Sequence, residues 1–166
     1  MPRSTAAAAT VDAADVDAVT DAVLTASRLL VGVSVRSIAA AGDTITLPQF
    51  RLLVVLHTRG PLKHAALAEH LGVTPSTASR MVDRLVTVGM VERLSSPTSR
   101  REIVLELTRE GTKVVRQVTA RRRKEIAKIV ARMPDRARHG LVEVLTAFAE
   151  AGDEPPAGTS LEGIWA

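Results

Sequence analysis

The stretch Leu67-Ala68-Glu69-His70-Leu71-Gly72-Val73-Thr74-Pro75-Ser76-Thr77-Ala78-Ser79-Arg80-Met81-Val82-Asp83-Arg84-Leu85 decides the fold. Leu67 and Leu71 are four residues apart, so a short helix over about Lys63 to Leu71 keeps both on one face. Gly72 suits the left-handed turn that ends such a helix. Thr74 then stands where a helix needs a cap, and Pro75 falls in its first turn, where a missing N–H costs nothing. In the helix that follows, Ala78, Val82 and Leu85 share an inward face, with Met81 beside them. Two helices joined by so short a turn form a helix-turn-helix.

The mechanics of that unit point to duplex DNA. One helix braces, and the next offers the outward residues of its N-terminal half to base edges in the major groove. Those residues are Ser76, Thr77, Ser79 and Arg80. Small hydroxyls allow close approach, and a guanidinium can fork onto a guanine or a phosphate. Thr74 begins this helix, and Arg84, further along, suits the DNA backbone.

On the N-terminal side, Thr46-Leu47-Pro48-Gln49 reads as a helix start with a capping box. That helix runs through Phe50, Leu53, Val54 and Leu56 until Gly60-Pro61 breaks it. On the C-terminal side Gly89 closes the recognition helix. Val91–Leu94 and Glu102–Leu107 read as strands, the second alternating with Ile103, Leu105 and Leu107 on one side. Between them Ser95 to Arg101 is a polar hairpin loop carrying Arg100 and Arg101. A narrow minor groove attracts an inserted arginine, so this wing suits the groove beside the recognition helix. The candidate DNA-binding residues are therefore Thr74, Ser76, Thr77, Ser79, Arg80, Arg84, Arg100 and Arg101.

Long helices flank this centre. The first spans about Asp12 to Ala41, with Val16, Val19, Val23, Leu30 and Ile38 near one face and acids crowding its first turns. Thr108 caps a fifth helix to about Arg132. Pro134 starts a sixth, with Ala137, Leu141, Val144, Leu145 and Phe148 at helical spacing. The expected organisation is a tail (1–11), a dimerisation helix (12–45), a winged helix-turn-helix lobe (46–108), further dimerisation helices (109–151) and a second tail (152–166). The fold class is mainly α with a small β-hairpin wing, about six helices in all.

Bulk properties narrow the function. The chain has 166 residues, 46% of them hydrophobic and 24% charged, with a net charge of +4. Residues 100–124 hold nine basic side chains against three acidic ones, whereas residues 1–50 hold three against five. Such asymmetry suits a polyanion beside the second half. The four-residue run Arg121-Arg122-Arg123-Lys124 spans all sides of a helical turn and reads as a solvated face. With no cysteine, disulfides, thiolate metal sites and thiol redox sensing are excluded. His57, His64, His70 and His139 lack metal-ligand spacing, and no nucleophile–base set or phosphate loop is present, so neither a metal, a cofactor nor an enzyme is expected. The longest apolar run, Leu29–Val35, is too short to span a bilayer, and no signal core precedes it. A cytoplasmic protein without membrane contact is expected.

Several blocks in order resemble the MarR (multiple antibiotic resistance regulator) family: Thr46 to Leu53, Leu67 to Leu85, Gly89 to Arg93, and Arg101 before Leu105-Glu106-Leu107-Thr108. The resemblance is strong from Thr46 to Gly111. It implies a homodimer with intertwined terminal helices, bound to a pseudo-palindromic operator, usually as a repressor. It implies relief by a small, often aromatic or phenolic effector between the dimer helices and the DNA-binding lobe, where Phe50 and His57 are the candidate pocket residues, Phe50 suiting the core as well. Arg101 corresponds to the arginine that enters the minor groove. The chain departs from the family at Ser99, where an acidic residue commonly steadies that arginine; a serine can hydrogen-bond but makes no salt bridge. A different class of function, a winged-helix module that binds protein, would place exposed apolar residues where Ser76, Thr77, Ser79 and Arg80 stand.

Overall fold

Helix α2 (Leu47–Arg59) starts on a complete capping box: the Thr46 side chain accepts from the Gln49 backbone N–H, and the Gln49 side chain accepts from the Thr46 N–H at 2.9 Å. A computed structural model of the chain describes residues 13–42, 45–96 and 99–156, without the side chains of Ala13, Ser99, Arg100 and Arg101. The expected tail 1–11, Pro97 and Thr98 of the expected loop, and residues 157–166 lie outside the described residues.

Helix α2 is the spine of the lobe. It buries Phe50, Leu52, Leu53, Val55 and Leu56. Against it pack Leu67 of α3 (His64–Leu71) and Val82 and Leu85 of α4 (Pro75–Thr87). Each fully buried side chain of this size contributes roughly 1.5–3 kcal/mol relative to exposure. Gly72 ends α3 at φ 63° and ψ 32°, the left-handed turn that its lack of a Cβ makes inexpensive. Thr74 caps α4 by accepting from Thr77 N–H. The helix-turn-helix is thus fixed by one apolar back face and two local stop–start signals.

The sheet is larger than the sequence pattern suggests. Strands β2 (Val91–Ser96) and β3 (Ser99–Leu107) form the expected hairpin. A two-residue strand, β1 (Leu62–Lys63), adds to the other edge of β3, so the order is β1-β3-β2, all antiparallel. Leu62 pairs with Leu105 and Lys63 with Val104, while Lys63 Nζ meets Glu102 Oε1 at 2.8 Å. Two residues running directly into a helix leave no period-2 signal to read.

Helix α1 (Ala13–Ala39) packs its C-terminal half on α5 (Arg109–Val130) and α2. Ser34 and Ser37 are buried there, their hydroxyls donating to the carbonyls of Leu30 and Val33 at 2.8 Å, so small side chains let the helices approach without orphaned groups. Arg121 donates to the carbonyl of Ala40 and caps this helix end. Over an 18-residue window α1 reaches a mean hydropathy of 1.5, long and apolar enough by composition to cross a membrane. That differs from the expectation based on run length, because Arg28 and Arg36 interrupt the run without lowering the average much. A soluble helix with one face on its own chain and another kept for a partner has the same composition.

The expected sixth helix is two: α6 (Asp135–His139) and α7 (Leu141–Ala151), parted at Gly140. Glycine is the weakest helix former after proline, and α6 buries nothing that would carry the chain through it. Helix α7 buries no residue either; Val142, Val144, Leu145 and Phe148 stand 54–75% exposed.

Candidate nucleic-acid interface

The recognition helix α4 separates its faces sharply. Ala78, Val82 and Leu85 are 0% exposed behind, while Thr74, Ser76, Thr77, Arg80 and Arg84 are exposed in front. Thr74 Oγ1 lies 3.1 Å from Ser76 Oγ and 2.9 Å from Thr77 Oγ1. Three hydroxyls are thereby gathered at the positive end of a helix dipole, an arrangement suited to a phosphate oxygen. Arg80 and Arg84 make no ion pair among the described residues. Asp83 does, with Arg93 of β2, which ties α4 to the hairpin and neutralises the one acid on the helix.

Ser79 is placed differently from its neighbours. It is half-buried, and its hydroxyl lies 3.1 Å from His64 Nε2 at the start of α3. It therefore holds the two helices together as well as facing outward. Nothing in the sequence signals this contact, since fifteen residues separate the partners.

At the wing, Ser95 pairs with Ile103 and Ser96 with Ser99. The backbone of Arg100, Arg101 and Glu102 is looped out between those two pairs. Bulges of this kind bend a hairpin and re-aim its side chains. Both arginines thus stand at the tip of the sheet that carries α4, on the same lobe as the recognition helix.

The two candidate pocket residues part company. Phe50 is 2% exposed in the lobe core and is not among the residues that line the cleft beside His57. His57 lines one of about 920 Å³ between α2, α5 and α7, with Val54, Val115 and Leu145 among its walls. Arg122 and Arg123 line it too, so the basic run of α5 is not a uniform solvated face. Arg122 is half-buried, and its Nε has no partner among the described residues; burial, then the charge of Arg51, pushes its guanidinium below its usual pKa range. Arg51 itself is held by Glu154, with bonds of 2.8 and 2.6 Å, and this hydrogen bonding draws the Glu154 carboxyl below the usual range. Arg59 donates to the Asp153 carbonyl at 2.8 Å. Residues 152–156, expected to be loose, are therefore fastened across α2. The pair is 45% and 41% exposed, so it is worth at most about 1 kcal/mol; it places the segment more than it stabilises the fold. Among the described residues, no group of three or more His, Asp or Glu side chains converges as a metal site.

Comparison with known proteins accords with this geometry. The family model "MarR family" matches residues 45–103, the lobe from the α2 cap to the wing. The crystal structure of RV1404 from Mycobacterium tuberculosis is 56% identical over 89% of this chain and 99% of that one, with a TM-score of 0.81. The chain belongs to the MarR family. The multiple antibiotic resistance protein MarR of Salmonella typhimurium is 33% identical over 44% of this chain and 51% of its own length. The HTH-type transcriptional repressor Rv2887 of M. tuberculosis is 33% identical over 54% of this chain and 64% of its own. The chain spans about half the length of the first curated relatives it matches. The winged helix-turn-helix expected from the sequence is the fold observed.

Proposed function

We propose that this chain is a cytoplasmic, homodimeric transcription regulator that binds duplex DNA at a pseudo-palindromic operator, acts as a repressor and is released by a small-molecule effector. The observation that carries DNA binding is the two-faced α4, with a wholly buried aliphatic back and a front of hydroxyls and of guanidiniums that make no ion pair among the described residues. A protein-binding version of the lobe would need large apolar residues on that front, and α4 has none exposed there. Apart from Val88, Leu94 and Ile103 in the lobe, the exposed large apolar side chains lie elsewhere, on α1 and α7, which supports a second copy as their cover. The effector reading rests on the cleft between α2, α5 and α7 alone. An apolar effector with a polar edge fits walls of valine and leucine with His57 and arginines at hand.

Two substitutions separate the roles in α4 and the wing. Arg80→Ala should cost about 1–3 kcal/mol of operator binding and relax preference at one base pair. Arg101→Ala should weaken binding by a similar amount without changing any major-groove preference. Competition binding against operators varied one base pair at a time checks both. Unchanged affinity in Arg80→Ala would remove the recognition helix from the interface.

A further inference from the structure

We propose that His64, on the bracing helix α3, is a specificity-determining residue that acts through Ser79. It fixes the direction of the Ser79 hydroxyl and so sets the preference of α4 at one operator base pair. This role rests on the DNA-binding reading above, and it belongs to a residue outside the recognition helix and the wing. Ser79 differs from the other helical hydroxyls of the chain. Thr20, Ser34, Ser37, Thr58 and Thr87 each donate to the carbonyl four residues back, so their protons are spent within one helix. Ser79 turns instead to another helix, with its Oγ 3.1 Å from His64 Nε2.

Helical period puts Ser79 at an edge of α4, between Ala78 and Val82 of the buried back and Ser76 and Arg80 of the exposed front. A hydroxyl has one proton and two lone pairs. The imidazole takes one of these three sites, which fixes the rotation of the hydroxyl and leaves two for a base edge. A serine free to rotate suits base donors and acceptors alike; a serine held by a second residue discriminates between them. His64 is itself held. It is half-buried at the first position of α3, directly after β1, whose Leu62 and Lys63 pair with Leu105 and Val104 of β3. Lys63 Nζ adds a bond of 2.8 Å to Glu102 Oε1. The imidazole therefore stands on backbone tied to the wing strand, while its ring meets the recognition helix.

Competition binding against operators varied one base pair at a time tests this role in the full-length protein. Ser79→Ala should flatten the preference at one base pair about three- to tenfold, the range of a single hydrogen bond. His64→Leu, which keeps an apolar body without a polar atom, should flatten the same pair by a similar factor. Combining the two should add less than about twofold, because both remove one interaction. His64→Gln, whose amide can reach the place of Nε2, should restore most of the preference, which a purely bracing residue would not require. Should His64→Leu lose helix content, His64→Ala takes its place, since alanine is the best helix former. Ser79→Ala without effect at any base pair overturns the proposal. So does a His64→Leu variant that spares the pair read by Ser79, or that loses preference evenly at every pair, or that His64→Gln does not improve on. In each of these cases a parent protein that discriminates among operators keeps the DNA-binding reading. A parent with no preference at any base pair overturns both.

Discussion

Phe148→Asp should convert the protein to monomers and lower operator affinity about a thousandfold. Phe148 is 57% exposed on α7, beside Val142 at 75%, Val144 at 64% and Leu145 at 54%. Helix α1 adds Val16, Val19, Leu24, Leu29, Leu30, Val31 and Val35, all more than 40% exposed. Isolated exposed apolar residues are ordinary, but eleven on two helices are more than scatter and suit cover by a second chain. In the proposed dimer each subunit presents one recognition helix, and the second half-site is gained only through the partner. Linking two binding events typically gains 10²–10⁴-fold, and losing the link forfeits about that factor. Because α7 buries nothing within its own chain, the carboxylate should leave the monomer's helicity intact. Sedimentation velocity and operator titration check the two effects together. A dimer that survives the substitution with unchanged affinity would place the subunit contact elsewhere.

Gly111→Ala should lower stability by roughly 3 kcal/mol or more, beyond the usual range for overpacking. A Cβ on Gly111 would lie 2.1 Å from the Met90 carbonyl oxygen and 3.2 Å from Leu107 Cδ2. The nearer atom is backbone and cannot rotate away. It is also held: Thr108 N–H donates to Met90 O at 3.2 Å, and Thr108 Oγ1 donates to Gly89 O at 2.7 Å while capping α5. The first turn of α5 is thus keyed against the end of the recognition helix and the start of β2. For a domain of this size the loss corresponds to a fall in Tm of about 6–12 °C, measurable by thermal unfolding. A variant as stable as the parent would mean that α5 can slide on β2, contrary to the tight packing described.

What was legible in the sequence was local. Thr46 with Gln49, Thr74 with Pro75, and Thr108 each act within one turn, so their spacing alone placed the starts of α2, α4 and α5. The inward set Ala78, Val82 and Leu85 follows from helical period, and the outward set Ser76, Thr77 and Arg80 is what remains. Contacts between distant residues left no such trace. Arg51 and Glu154 are 103 positions apart, and either alone reads as a surface charge. The run from Arg121 to Lys124 looked uniform, yet one arginine caps α1 and the next is half-buried in the cleft. Phe50 offered a core and a pocket reading, and only packing assigns it to the core. Strand β1 depends on what β3 offers alongside it, not on any pattern within it, and the break at Gly140 follows from a glycine beside a helix that buries nothing.

The central claim is that α4 and the wing grip a specific duplex. A titration of the purified protein on an inverted-repeat operator and on random DNA of equal length, repeated across salt concentrations, tests it most directly. Specific affinity should exceed non-specific affinity by about 10³-fold or more. Both should fall steeply and linearly in a log–log plot against salt as phosphate contacts release counterions. Equal affinity for the two duplexes, or a flat salt dependence, would contradict the account.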